Sequence, residues 1–163
     1  MTLRVIPPPD GSDQNNNSIG LVVEYGEFTA LITGDSEVDE LQYFLTLGVP
    51  DVTVLKAPHH GSRDAVTPAW LSATKPEIVV ISCGANNPYG HPHEWALRYY
   101  NAVASRVLRT DRDGEITIHG REDRSYEILT GSGHLPETVL ERRASETPAM
   151  GGAVNVSVWV FPD

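Results

Sequence analysis

Three short apolar runs rich in β-branched residues constrain the fold most: residues 28–33, 52–57 and 78–82. Each stops at a loop bearing glycine, histidine or cysteine, and each is followed by a stretch with helical spacing. Alternation of this kind predicts an α/β sheet with helical crossovers, not a bundle or an all-β barrel. After the first run, Ser36 is placed to cap a helix whose apolar positions Val38, Leu41 and Leu45 share a face, with Gly48 and Pro50 ending it. After the second, Thr67-Pro68 reads as the cap and first turn of a helix carrying Trp70 and Leu71, stopped by Pro76. After the third, a loop over residues 84–92 leads to an amphipathic helix with Trp95, Tyr99 and Ala102 on one side.

The flanks extend this pattern. An apolar start at Val5 ends at Pro7-Pro8-Pro9, and residues 10–17 form a polar loop. Residues 19–25 and 28–33 bracket Gly26-Glu27 as a β-hairpin. Residues 107–108, 116–118 and 126–129 read as short strands, with Asp113-Gly114 as a turn. The expected order, β-β-α-β-α-β-α-β-β-β, predicts one mixed sheet with helices on one face. Beyond it, residues 135–143 read as a helix, 144–152 as a linker and 154–161 as a final strand. The chain divides on this reading into a domain over residues 1–130 and a tail over 131–163.

Composition narrows the function. No apolar run approaches membrane-spanning length, and the first ten residues lack the apolar core of a signal peptide. A cytoplasmic location is the default expectation, and a piece of a larger protein inherits that protein's address. Cys83 is the single cysteine, so a Cys-rich zinc site is excluded; at the end of an apolar run it reads as a buried small hydrophobe. The net charge of −10 argues against binding driven by Lys and Arg neutralising phosphates. It leaves a phosphodiesterase open, because metal ions supply positive charge there.

Four segments carry residues able to do chemistry: Asn15-Asn16-Asn17-Ser18, Thr33-Gly34-Asp35, His59-His60-Gly61-Ser62, and the stretch from Asn86 through His91-Pro92-His93. Three lie at strand ends or in the loops that follow, where open sheets present ligands. Singly, each has a plainer reading. Asp35 suits a helix cap, His59-His60 an exposed loop, Pro92 a helix start, and the asparagines a hydrophilic turn. Trp95, Tyr99 and Tyr100 suit core or helix surface better than a base-stacking platform. His119 and His134 stand alone and receive no role.

Taken in order, the landmarks are more specific. Asn-Asn-Asn-Ser, strand, Thr-Gly-Asp, helix, strand, Lys-x-x-His-His-Gly-Ser, strand and Asn-Asn-x-Tyr-Gly-His-Pro-His resemble ComEC-like metallo-β-lactamase-fold proteins, and Thr110-Asp111-Arg112-Asp113-Gly114 extends the likeness. The resemblance runs from about residue 3 to about residue 118. It implies the C-terminal half of an αββα sandwich. It implies that Asp35 resembles a metal-bridging carboxylate and that His60 resembles the last histidine ligand, with His59 as the alternative. His91 and His93 resemble residues lining the site mouth, either of which would orient a scissile phosphate or protonate a leaving oxygen. Lys56, Ser62, Asn17 and Ser18 would support these groups. The 14–17 stretch occupies the place where many members have a further histidine; here that ligand is lost or replaced by an amide oxygen.

One departure is large. The family's His-x-His-x-Asp-His run, or its Asp-substituted version, is absent. The implied cofactor is a divalent metal, zinc or manganese, with too few ligands here for a closed site. The expectation is therefore a metal-dependent hydrolase half acting on a phosphodiester. A homodimer or a separate N-terminal half chain would complete it and cover the apolar sheet face. The competing expectation is a non-catalytic interaction or scaffold domain that kept the fold and lost the metal site. A nucleic-acid-binding module without catalysis is disfavoured by the acidic balance.

Overall fold

The computed structural model describes residues 1–11, 15–131, 139–141 and 154–158. It is an α/β structure with a mixed six-stranded sheet. The first strands are β1 (Thr2–Ile6), β2 (Gly20–Tyr25) and β3 (Phe28–Ile32), paired antiparallel in that order. Strands β4 (Val54–Lys56), β5 (Ile78–Ile81) and β6 (Arg106–Arg109) continue parallel to β3. The crossovers carry helices α1 (Val38–Leu47), α2 (Pro68–Thr74) and α3 (Glu94–Val103). A short α4 (Thr110–Asp113) follows β6.

Period-two alternation sorts the strand residues onto two faces. Val22, Leu31, Leu55, Val79 and Ile81 pack with Leu41, Phe44, Trp70, Leu71 and Tyr100 of the helices. Val23, Ala30, Val54, Ile78 and Val80 point the other way and are buried too. They meet Ile116, Ile118, Tyr126 and Ile128. These come from β7 (Ile116–Gly120) and β8 (Tyr126–Thr130), which belong to a second, four-stranded antiparallel sheet with β9 (Val139–Glu141) and β10 (Val154–Val158), ordered β10-β7-β8-β9.

This corrects the expectation of a single sheet. The short runs 116–118 and 126–129 do not extend the first sheet; they leave it at Gly114 and cover its second face. The bare apolar face that motivated a homodimer is therefore filled by the same chain. Two further readings are corrected. Residues 139–141 are strand, not helix, and the remainder of 135–143, like the 144–152 linker, lies outside the described residues. The final strand is seen as Val154–Val158, with 159–161 outside the described residues. On α3 the buried positions are Ala96 and Tyr100, while Trp95 and Ala102 face outward.

The sheets are keyed together at their turns. The Gly26 turn adopts φ +58°, and a Cβ there would meet the Glu122 carbonyl oxygen at 2.3 Å. Glu27 N–H donates to that carbonyl at 2.7 Å. Gly120 lies so close to the Phe28 ring that an added Cβ would sit 2.6 Å from it. Phe28 is fully buried and cannot yield freely. Gly120→Ala is therefore expected to destabilise the chain by about 1–3 kcal/mol, read from urea unfolding. Adding Phe28→Leu should recover part of the loss. An unchanged midpoint for the single variant would show that the sheets are not packed this way.

Candidate functional site

Parallel pairing of β3 to β6 brings the loops after these strands to one sheet edge. The loop after β3 supplies Asp35 and Glu37. The loop after β4 supplies His59 and His60, and the loop after β5 supplies Tyr89, His91 and His93. Gly34, at φ +58°, accepts the His59 N–H through its carbonyl at 3.1 Å and so ties the first loop to the second. Gly61, at φ +80°, ties the second to the third. Its carbonyl accepts His93 N–H at 3.0 Å, and a Cβ on it would reach Pro92 at 2.7 Å.

The histidines form a cluster. His91 lies centrally, its ring centre 4.8 Å from His93, 5.4 Å from His59 and 6.3 Å from His60. Burial lowers its pKa, and the neighbouring His93, His59 and His60 lower it further against the opposing pull of Asp35. The His91 backbone is fixed by Asn87, which accepts its N–H at 3.0 Å and donates to its carbonyl at 2.7 Å.

Partner chemistry assigns two of the rings. His60 Nδ1 lies 2.7 Å from the Ser82 carbonyl, which can only accept, so Nδ1 carries the proton. Its Nε2 then faces Asp35 Oδ1 at 3.3 Å. An imidazole nitrogen and a carboxylate oxygen this close need a proton or a metal ion between them. His93 is the reverse case. Its Nδ1 accepts the Arg63 backbone N–H at 3.0 Å, leaving Nε2 as the N–H donor.

A second carboxylate was not singled out from the sequence. Glu37 Oε1 sits 3.2 Å from His59 Nδ1, out of line for a hydrogen bond, and accepts from Asn15 Nδ2 at 2.9 Å. Asn16, expected in a hydrophilic turn or in the place of a missing histidine, caps α1 across the fold: its Oδ1 accepts from Glu37 N–H at 3.2 Å and Glu40 N–H at 3.3 Å. Ser36, the expected cap, instead donates to Thr33 O at 2.6 Å. Buried Glu40 accepts Ser18 N–H at 3.0 Å. The Asn16 amide oxygen, occupied by helix N–H groups, is thus committed to capping rather than to the place of a missing histidine.

The supporting residues divide. Ser18 Oγ accepts Asp35 N–H at 3.2 Å and so holds the carboxylate loop directly. Lys56 borders Asp35; burial pushes its ammonium pKa down against the carboxylate's attraction. Ser62 caps the short 3-10 turn over residues 63–65 by accepting Asp64 N–H at 3.4 Å. Asn17 is exposed. Behind the third loop, Cys83 donates to Asp111 Oδ1 at 3.2 Å, and burial, then that carboxylate, push its thiol up to about 11. Arg109 clamps Asp111 with two bonds at 2.9 and 2.6 Å.

The described residues hold no group of three or more His, Cys, Asp or Glu disposed around one metal position. No helix among them is long and apolar enough to cross a membrane.

No family model matches the chain. Among curated proteins it is 36% identical over 110 residues to ComE operon protein 3 of Bacillus subtilis. It is 33% identical over 111 residues to Recombination protein 2 of Haemophilus influenzae, and 33% over 106 to Competence protein ComA of Neisseria gonorrhoeae. These matches cover 66%, 68% and 64% of this chain. It is related to competence proteins. The chain spans only 14%, 14% and 15% of the length of those three relatives.

The ring assignments are open to measurement. Nitrogen-15 NMR of the histidine side chains should show His60 Nδ1 protonated and His93 Nδ1 unprotonated near neutral pH. The opposite pattern at either residue would remove the geometric basis of the site.

Proposed function

We propose that this chain carries one side of a metal-dependent phosphodiester hydrolase site, completed by a segment outside it. The observation that supports this reading is the pinning of His60. Its Nδ1–H is held by Ser82, so its Nε2 lone pair is presented toward Asp35 at 3.3 Å. A ligand histidine characteristically spends its other nitrogen on such an orienting bond. The donor set, one carboxylate and one imidazole, fits two positions of a zinc or manganese shell and falls short of the usual three or four. A divalent ion there would supply Lewis-acid polarisation of a phosphoryl oxygen.

The chain's own residues have separable tasks on this reading. Asp35 and His60 hold the ion, Ser82 fixes the ring, and Ser18 holds the Asp35 backbone. His93, locked as an Nε2–H donor, binds a phosphoryl oxygen of the substrate. No hydrogen bond fixes the His91 ring nitrogens among the described residues, which leaves that ring for proton transfer. His59, turned toward Glu37, is the weaker candidate ligand.

In this view the six-stranded sheet and its helices are one half of an αββα sandwich. The missing ligands come from an N-terminal half, which the small fraction of each relative that this chain spans favours over a homodimer.

Metal titration of the purified chain tests the reading. Zinc or manganese should bind, and weakly, with Asp35→Ala and His60→Ala each abolishing binding and His59→Ala reducing it less. In an assembly with hydrolytic activity the first two changes should abolish turnover as well. Binding untouched by Asp35→Ala and His60→Ala would overturn the site assignment. Zinc that survives dialysis against a mild chelator would overturn the claim that the site is incomplete. No binding at all would favour the scaffold reading.

A further inference from the structure

Tyr89 is 74% exposed, among the most exposed large side chains in the chain. A lone surface aromatic needs no explanation. This one, however, stands on the histidine cluster, its ring 5.8 Å from His91 and inclined to it by only 25°. The ring thus overlaps His91 only at an offset, and the 74% exposure leaves most of it in solvent. The loop that carries it is closed on itself. Asn87 Nδ2 donates to Gly84 O at 3.0 Å and to His91 O at 2.7 Å, Asn87 Oδ1 accepts His91 N–H, and Gly90 N–H donates to Asn87 O at 3.3 Å. Tyr89 therefore stands on a loop of fixed backbone with much of its ring open to a second aromatic group, and a tyrosine has few side-chain torsions to lose on binding one.

Charge shows what such a surface adds. With a net charge of −10, the chain gains little from long-range attraction of a polyanion. Stacking does not depend on net charge and tolerates any base, because every base has a π-face. A phosphate seated at His93 and a base carried on the same nucleotide would fall on neighbouring parts of one surface.

We infer that Tyr89 is a specificity-determining residue: it stacks a nucleobase of a single-stranded oligonucleotide beside the histidine cluster and favours nucleotide-bearing phosphodiesters over those without an aromatic group. This inference rests on the phosphodiester reading for the identity of the neighbouring group. Trp95, Tyr99 and Tyr100 belong to α3; Tyr89 stands on the loop before it, beside the histidines.

The test is NMR titration of the full chain with a short oligothymidylate, and with an abasic deoxyribose-phosphate oligomer of equal length, following the amides of Gly90, His91 and His93. Tyr89→Ala should weaken oligothymidylate binding roughly 5- to 150-fold, the range that loss of one stacked base implies. Tyr89→Phe should restore it. The abasic oligomer should bind the unsubstituted chain no better than oligothymidylate binds Tyr89→Ala, and added salt should not erase the difference. Exposure makes unfolding of Tyr89→Ala an unsuitable explanation, and unchanged amide shifts elsewhere will verify that. Equal binding by the unsubstituted chain and Tyr89→Ala, equal binding of the two oligomers, or no binding at all overturns the inference. Manganese separates the two readings: tighter binding of both oligomers with manganese, without any Tyr89 effect, retains the metal site and removes the stacking. A Tyr89 effect indifferent to manganese does the reverse.

Discussion

Parallel pairing of β3, β4, β5 and β6 is the constraint on which the site depends. Parallel strands cannot be joined by tight turns, so each is followed by a crossover that begins at the same sheet edge. The three crossovers consequently open at that edge, and residues far apart in sequence become neighbours there. Asp35 and His60 meet because β3 and β4 are adjacent, and His60 reaches Ser82 because β5 is next in line. A one-residue register slip in β4 would reverse the faces of Val54 and Leu55 and turn the histidine loop away as well. The hydrophobic alternation that folds the sheet therefore also aims the side chains of the candidate site.

Much of this was legible in the residues themselves. Strand runs, Thr67-Pro68, and the Gly48 stop correspond to β3, β4, β5, the start of α2 and the end of α1. Periodicity reports which residues are buried, and it does not report against what. Val23, Val54 and Ile78 lie in runs whose composition announces strands, but nothing local in residues 116–130 distinguishes a strand that extends a sheet from one that covers it. The helix α3 misled for a related reason. Its apolar residues fall on more than one stripe, and the sheet selects Ala96 and Tyr100 while leaving Trp95 outside.

The site was legible where side-chain chemistry is distinctive and illegible where support comes from backbone. Asp35 and the histidines announce themselves by type and by the adjoining glycines. The orienting partner of His60 is the carbonyl of Ser82, a group that every residue possesses, so no sequence pattern marks it. Glu37 looked like an ordinary first-turn acid of a helix. Only the return of the 15–18 loop across α1 shows that Asn15 holds its carboxylate toward His59 and that Asn16 replaces the local cap. Long-range capping of this kind is a tertiary fact, and local propensity could only nominate Ser36.

His59 and His60 both occupy left-handed backbone, at φ 43° and 53°. Such geometry costs on the order of 1–3 kcal/mol per non-glycine residue and persists only where its surroundings over-determine it. Here they do. The His59 N–H is held by Gly34, Ser62 N–H returns to the His59 carbonyl at 2.8 Å, the His60 ring is held by Ser82, and Gly61 fits against Pro92. Relaxing the turn would break several of these bonds together, at roughly 1 kcal/mol or more for each. The histidine turn is therefore held by the fold's own bonds. A residue whose only task was to connect β4 to α2 would gain nothing from this arrangement, whereas one that must present a nitrogen at a fixed point gains its position in advance.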